Sequence, residues 1–273
     1  MENALGDFLR ARRELVTPAE VGLPAGNGLR RVPGLRREEV ALLAGISAEY
    51  YVRLERGRDR SPSAQVVDAL ARVLQLDTEG AAYLMALASP RLRRPRAARE
   101  QQVPPRLELL LLTLNVPAIV FNKHSDVLAA NPLARQLSPD MRPGVNRLRL
   151  LFLDPEVRGY HPGWERYTAD VVAHLRAQAG TNSDDERLHA LIGELSLRSD
   201  RFRQLWARHD VRTARGGTFL VRHPDVGDLE LLVEKFAVAG AGNSGLEMLL
   251  LHAEPGTRTA QALVTLASHI TAA

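Results

Sequence analysis

The fold of the N-terminal region is decided by residues 37–56, which read REEVALLAGISAEYYVRLER. Apolar residues spaced three and four apart on both sides of Gly45 predict two short helices that share a core. Gly45 can adopt the positive φ of a tight turn, and Ser47 can accept hydrogen bonds from the free N–H groups of the second helix. Ala41 is small enough for a close helix crossing. The stretch therefore predicts a helix-turn-helix, with an αα-hairpin lacking a nucleic-acid role as the alternative.

Length and composition limit the class of protein. The chain has 273 residues, enough for two domains, with 45% hydrophobic and 25% charged residues, which is typical of a globular protein. No apolar run approaches the ~20 residues of a membrane helix. The absence of cysteine excludes disulfides, thiolate-bound metals and thiol catalysis. We expect a soluble cytoplasmic protein with no membrane partner.

The positive charge is concentrated at one end of the chain. Residues 1–103 contain 17 Lys and Arg against 13 Asp and Glu, whereas residues 104–273 contain 19 of each. The whole net charge of +4 is thus carried by the N-terminal region. A basic module of this kind favours a polyanionic partner.

The periodicity along the chain predicts two domains of different class. Residues 1–90 predict an all-α, five-helix helix-turn-helix domain, and the basic, proline-marked residues 91–105 predict a linker. Residues 106–273 predict an α+β domain in which strands over 118–122 and 127–130 precede several helices. Three strands over 217–222, 229–238 and 246–253 follow, and then a helix over 259–270. We expect one five-stranded antiparallel sheet with helices on one face.

Residues 30–57, RRVPGLRREEVALLAGISAEYYVRLERG, resemble the helix-turn-helix of the phage-repressor-like XRE family, and specifically that of MmyB-like regulators. The second region is similar to the same regulators at LLFLDP (150–155), WE (164–165), FRQLWARHDVR (202–212), HPDVG (223–227) and AEPG (253–256). The resemblance implies a PAS-like C-terminal ligand-binding domain. At least one relative is thought to hold a fatty acid there.

The second helix of such a motif lies in the major groove, with its first residues at the base edges. The candidate DNA-binding residues are Arg36, Arg37, Ser47, Ala48, Glu49, Tyr50, Arg53 and Arg56. By resemblance, Ala48, Glu49 and Arg53 occupy base-facing positions. They are suited to a thymine methyl, a cytosine amine and a guanine, respectively.

The remaining candidates have other expected roles. The three arginines near the helix ends, Arg36, Arg37 and Arg56, are expected to contact phosphates. The alternative role for Glu49 is an i,i+4 ion pair with Arg53. Tyr50 lies on the DNA-backbone side or partly in the core. Because one helix-turn-helix covers only a short half-site, a homodimer on double-stranded DNA with half-sites about 34 Å apart is expected.

The C-terminal domain offers candidates for a hydrophobic ligand site. The candidate lining residues are Leu133, Phe152, Trp164, Tyr167, Val171, Phe202 and Trp206, and ordinary core packing is the alternative for each. A carboxylate could be anchored by Arg203, Arg208, His209 or Arg212, although surface ion pairs explain these residues equally well. No cofactor and no metal are expected, apart from a bound fatty acid or similar hydrophobic molecule.

These observations favour a ligand-responsive, sequence-specific DNA-binding transcriptional regulator. The alternative is a regulator whose C-terminal domain serves only dimerisation or protein binding. An enzyme is disfavoured because GAGNSG, residues 240–245, matches a phosphate-binding glycine motif but is followed by a predicted strand instead of a helix. We interpret it as a hairpin turn. The histidines also lack zinc-binding spacing.

Overall fold

The computed structural model describes residues 3–23, 33–59, 61–88, 102–181, 185–212, 217–238 and 245–271. The chain divides into two compact units. The first comprises Met1–Pro95, Val171–Asp185 and Arg203–Thr213, and the second comprises the remaining residues. Two segments from the C-terminal half are thus grouped with the N-terminal helices, a grouping that the predicted division into consecutive domains lacks. Most of the predicted linker, residues 91–101, lies outside the described residues.

The N-terminal part of the first unit contains five α-helices in its described residues, as predicted. They are α1 (Ala4–Leu15), α2 (Arg37–Ala44), α3 (Ala48–Glu55), α4 (Ala64–Val73) and α5 (Thr78–Ala88), with a 3₁₀ turn at Ala19–Val21. Each helix contributes apolar side chains to one buried core that includes Phe8, Val40, Tyr51, Leu70 and Leu84. The motif of residues 37–56 therefore lies within a packed helical unit.

The rest of the chain forms the predicted α+β arrangement. In chain order its elements are α6 (Pro105–Thr113), β1 (Ala118–Asn122), β2 (Val127–Ala130), α7 (Pro132–Leu137), a 3₁₀ turn (Pro139–Met141), α8 (Arg147–Leu153), α9 (Pro155–Gly159), α10 (Trp164–Thr181), α11 (Glu186–Arg198), α12 (Asp200–Ala207), β3 (Gly217–His223), β4 (Gly227–Ala237), β5 (Leu246–His252) and α13 (Arg258–Thr271). The five strands form one antiparallel sheet in the order β2-β1-β5-β4-β3. The predicted fold class is confirmed.

Helices cover parts of both faces of the sheet, so the expectation of helices on one face is wrong. On the face that we call the inner face, Ile119 and Leu249 pack in one cluster with residues of α7 and α13. On the opposite face, Val120 packs with Leu107 and Leu111 of α6. The reason lies in β1, whose five residues are all buried and which therefore needs apolar cover on both sides.

Two short helices, α8 and α9, were not predicted. Asn146 caps α8 by accepting a hydrogen bond from the Arg149 backbone N–H at 3.0 Å, and Pro155 occupies the first turn of α9. The predicted hairpin at residues 240–245 lies outside the described residues, except for Gly245. No described helix has the length and apolar character that a membrane crossing requires.

Candidate functional site

The turn between α2 and α3 has the predicted geometry. Gly45 adopts φ +68°, and a Cβ atom built on it would meet nothing within 4 Å. The backbone conformation, and not lack of space, therefore favours glycine here. The Ser47 hydroxyl accepts a hydrogen bond from the Tyr50 backbone N–H at 3.1 Å and caps α3.

A buried carboxylate at the end of α3 fixes the position of that helix. Both oxygens of Glu55 accept hydrogen bonds from arginines: Oε1 from Nε of Arg13 in α1 at 2.7 Å, and Oε2 from Nε of Arg37 in α2 at 2.6 Å. Arg13 also donates to the Leu35 carbonyl at 2.9 Å. Burial alone would lower the pKa of Arg13, but the hydrogen bond and charge of Glu55 hold it above its ordinary value. One carboxylate thus links α1, α2 and α3.

Sequence reasoning missed Arg13 and Glu55. A signal for Glu55 was present, because it follows Tyr51 by four residues and so lies on the buried side of α3. Arg37, predicted to contact phosphate, is held by Glu55 while its side chain remains 44% exposed. Its predicted phosphate contact would compete with this ion pair. Arg36 and Arg56 are exposed at the helix ends, where they were predicted to meet phosphates.

The side of α3 directed away from the helical core carries the predicted base-facing residues. We define the outer face of α3 as Ser47, Ala48, Glu49 and Arg53, of which the first three are exposed and Arg53 is half-exposed. The i,i+4 ion pair that was the alternative role for Glu49 is present, with 3.6 Å between Glu49 Oε1 and Arg53 Nη1. The Arg53 guanidinium also lies 5.3 Å from the ring centroid of Tyr50, which is half-buried. An exposed pair of this kind contributes about 0.3–0.5 kcal/mol, so DNA could displace it at little cost.

Five of the seven predicted ligand-lining residues belong to the second unit. Leu133 and Tyr167 pack in the cluster on the inner face of the sheet. The rings of Phe152 and Phe202 meet edge to face at 5.1 Å between centroids. Trp164 donates its indole N–H to the Leu151 carbonyl at 2.9 Å. Packed side chains make contacts of this kind, and the role of these residues in ligand binding stays a prediction.

Two of the predicted lining residues, Val171 and Trp206, are grouped with the first unit. The ring of Trp206 lies under the Arg176 guanidinium, with the ring centroid 3.8 Å from Cζ. Within the same unit, Nδ1 of His209 lies 3.1 Å from Arg176 Nη1. Burial, together with the charges of Arg176 and Arg12, lowers the pKa of His209 to about 3. His209 is therefore neutral at pH 7 and supplies no charge to anchor a carboxylate.

Arg208, another suggested carboxylate anchor, forms an ion pair with Asp210 at 3.0 Å, while its side chain is 61% exposed. This arrangement matches the surface ion pair that was the alternative for it. Among the described residues, no group of three or more His, Asp or Glu side chains is placed to hold a metal ion.

A cluster that sequence reasoning missed lies beside the inner face of the sheet. We call Asp140, Arg147, His161 and Tyr167 the buried polar cluster. Arg147 donates from Nε to Asp140 Oδ2 at 3.3 Å and from Nη2 to the Tyr167 hydroxyl at 3.1 Å. The His161 ring lies 5.4 Å from the Tyr167 ring and 5.2 Å from that of Phe219, measured between centroids. The guanidinium of Arg147 is thus held by Asp140 and Tyr167 inside the second unit.

The ionisation of the buried polar cluster follows from its contacts. Burial raises the pKa of Asp140, but the positive charge of Arg147, the neighbouring His161 and the hydrogen bonds from Ser138 and Arg147 together outweigh it and hold the pKa below its ordinary value. Burial lowers the pKa of His161, so the imidazole is neutral at pH 7. The cluster therefore contains one close pair of opposite charges and a neutral histidine.

Comparison with known protein families assigns different families to the N-terminal and C-terminal regions of the chain. Residues 4–84 match the family model described as a helix-turn-helix domain. Residues 103–267 match the family model described as the MmyB-like transcription regulator ligand binding domain. No curated protein matches the chain. The match to the ligand-binding domain covers more than half of the chain, and the chain therefore belongs to the family of MmyB-like transcription regulators. Its helix-turn-helix domain precedes the ligand-binding domain.

Proposed function

We propose that this regulator recognises specific DNA sequences through the outer face of α3 and responds to a small, hydrophobic, fatty-acid-like ligand bound by its C-terminal domain. The observation that carries the proposal is the outer face itself. It is exposed, while the opposite side of the same helix is held through Glu55 by two arginines. A rigid helix with an accessible polar side is what reading of the major groove requires.

The proposed contacts follow from the chemistry of the exposed groups. Arg53 pairs with O6 and N7 of a guanine once Glu49 releases it, and Ala48 contacts a thymine methyl. Arg36 and Arg56 bind phosphates on either side. This is the binding mode of XRE-type repressors, and a homodimer on two half-sites is part of the proposal.

A second candidate function is favoured by one observation. The edge-to-face contact of Phe152 with Phe202, whose side chain is fully buried, is typical of a filled core. If the C-terminal domain is filled throughout, it serves dimerisation or protein binding and no ligand.

Two measurements on the purified full-length protein test the proposal. Selection from a random duplex library should enrich one sequence with two related half-sites, and native mass spectrometry should show protein carrying a hydrophobic molecule. Addition of dodecanoic acid to lipid-stripped protein should change its affinity for the enriched sequence. If no sequence is enriched, the proposed DNA recognition is wrong. If the protein carries no hydrophobe and dodecanoic acid leaves DNA affinity unchanged, the C-terminal domain has the second function.

A further inference from the structure

Two segments of the C-terminal half belong to the same compact unit as the helix-turn-helix. They are Val171–Asp185, which includes the C-terminal part of α10, and Arg203–Thr213, which includes the C-terminal part of α12. Both lie within residues 103–267, the match to the ligand-binding domain. Val211 is 8% exposed and belongs to the buried core of the N-terminal helices, and Ala177 packs against that core. The ligand-binding part of the sequence thus supplies apolar side chains to the core of the first unit.

The C-terminal part of α10 approaches α5 closely at Gly180. A Cβ atom built on Gly180 would lie 2.6 Å from Cζ and 2.8 Å from the hydroxyl oxygen of Tyr83, a residue of α5. The Tyr83 ring has little room to yield, because it is buried and meets the ring of Phe8 in α1 edge to face, with 5.1 Å between centroids. A side chain at position 180 would therefore displace α10 from α5.

One buried arginine joins this part of α10 to the segment that begins in α12. Arg176 is only 5% exposed, its Nη2 donates to the Trp206 carbonyl, and its Cζ lies 3.8 Å from the Trp206 ring centroid. Its Nη1 lies 3.1 Å from Nδ1 of His209. Burial lowers the pKa of Arg176 to about 10, and its electrostatic interaction and hydrogen bond with Tyr83 oppose that shift. Arg176 thus connects α5 with the segment.

The same segment also contacts α1. Oδ1 of Asp210 lies 3.3 Å from Nη1 of Arg12, and these side chains are 36% and 22% exposed. The next residue of α1, Arg13, donates to the carboxylate of Glu55 in α3. Since α1 meets the segment and α3 through neighbouring side chains, a displacement of α1 by the segment would act on the position of α3.

We propose that residues 171–181 and 203–212 form a regulatory latch, through which ligand binding in the C-terminal domain changes the affinity of α3 for DNA. The helix α10 is suited to this role, because it is continuous and contributes residues to both units. A shift of such a helix changes its contacts at both ends. The inference rests on the proposed function, since it names the contacts that carry the proposed ligand response.

The DNA affinity of lipid-stripped full-length protein, measured on the selected duplex with and without dodecanoic acid, tests the latch. The wild-type affinities in the two conditions should differ at least about fivefold, the lower end of typical coupling between sites. Gly180→Ala should lose this response, because the added methyl group displaces α10 from Tyr83. Gly193→Ala is the matched control, since Gly193 lies in α11 with open space around its Cβ position, and this variant should respond like the wild type.

Arg176→Met tests the latch without added bulk. Replacing a buried charge by an apolar side chain of similar volume is often neutral or stabilising, so this variant should fold. It loses the hydrogen bond to the Trp206 carbonyl and the contact with His209. Calorimetric titration should show that it still binds dodecanoic acid, while its DNA affinity should no longer respond to the acid. Arg222→Met, which removes an exposed arginine of β3, should keep the full response.

The outcomes separate the latch from the proposed function. A full response in Arg176→Met, or in a folded Gly180→Ala, would overturn the latch and leave the ligand response of the regulator intact. Loss of acid binding in Arg176→Met would place Arg176 in the ligand site and would also overturn the latch. If dodecanoic acid leaves the DNA affinity of the wild type unchanged, the ligand response of the proposed function fails, and the latch fails with it.

Discussion

Replacing Glu55 by glutamine removes the charge that links the first three helices. The glutamine side chain would keep the size of the original and one hydrogen-bond acceptor. However, Arg13, whose side chain is only 7% exposed, would lose its buried counter-charge and keep only the exposed Glu14, whose Oε1 lies 3.5 Å from Nη2. Arg37 is 44% exposed and would be hydrated by solvent instead. The destabilisation should therefore arise mainly from Arg13.

The size of this effect follows from the burial. Breaking a buried ion pair by removing one partner costs about 3–5 kcal/mol, because the remaining charge is uncompensated. Glu49→Gln is the matched control, since Glu49 lies on the same helix, is 85% exposed and pairs with Arg53 at 3.6 Å. Loss of that pair should cost no more than about 0.5 kcal/mol.

Urea unfolding of the full-length variants, followed by far-ultraviolet circular dichroism, measures both free energies. Glu55→Gln should shift the midpoint of the transition of the helical unit to clearly lower urea, and Glu49→Gln should leave it nearly unchanged. Equal midpoints for the two variants would show that Glu55 does not hold α3 in place.

Three further outcomes are expected. Ser47→Ala should destabilise the helical unit by about 1 kcal/mol in urea unfolding, because it removes the cap of α3, and Ser47→Asp, which can replace the cap, should restore most of it. Gly45→Ala should cost a similar amount, about 1 kcal/mol, because alanine is disfavoured at φ +68°; an unchanged midpoint would count against the turn geometry. His209 has a folded-state pKa of about 3, below its unfolded value near 6.5. Its contribution to the free energy of unfolding is therefore complete above pH 6.5 and is lost as the pH falls towards 3. The midpoint measured from pH 7 to pH 4 should accordingly fall less in His209→Gln than in the wild type, and identical slopes would refute this assignment.

The parts of the fold that depend on local chemistry could be predicted from the sequence. The turn at Gly45 and the cap at Ser47 follow from the conformational preferences of single residues, and β1 and β2 have the predicted bounds. The helix α8 could not be predicted in this way. It is only seven residues long, and its start is held by contacts with the β1–β2 hairpin.

The polar contacts that hold α3 and those within the buried polar cluster depend on long-range packing. Glu55 meets Arg13 from 42 positions away, and Arg147 meets Tyr167 across 20 positions. No spacing rule links such pairs, because only the completed fold brings them together.

The central claim is that the outer face of α3 reads bases, and a comparison of two arginine variants tests it most directly. The affinities of wild type, Arg53→Ala and Arg56→Ala should be measured on the selected DNA site and on every single-base variant of one half-site. Arg53→Ala should lose about 1–3 kcal/mol of discrimination at one base step, whereas Arg56→Ala should weaken binding equally on all sequences. If Arg53→Ala also lost affinity uniformly, with discrimination intact at every base, the claim would be contradicted.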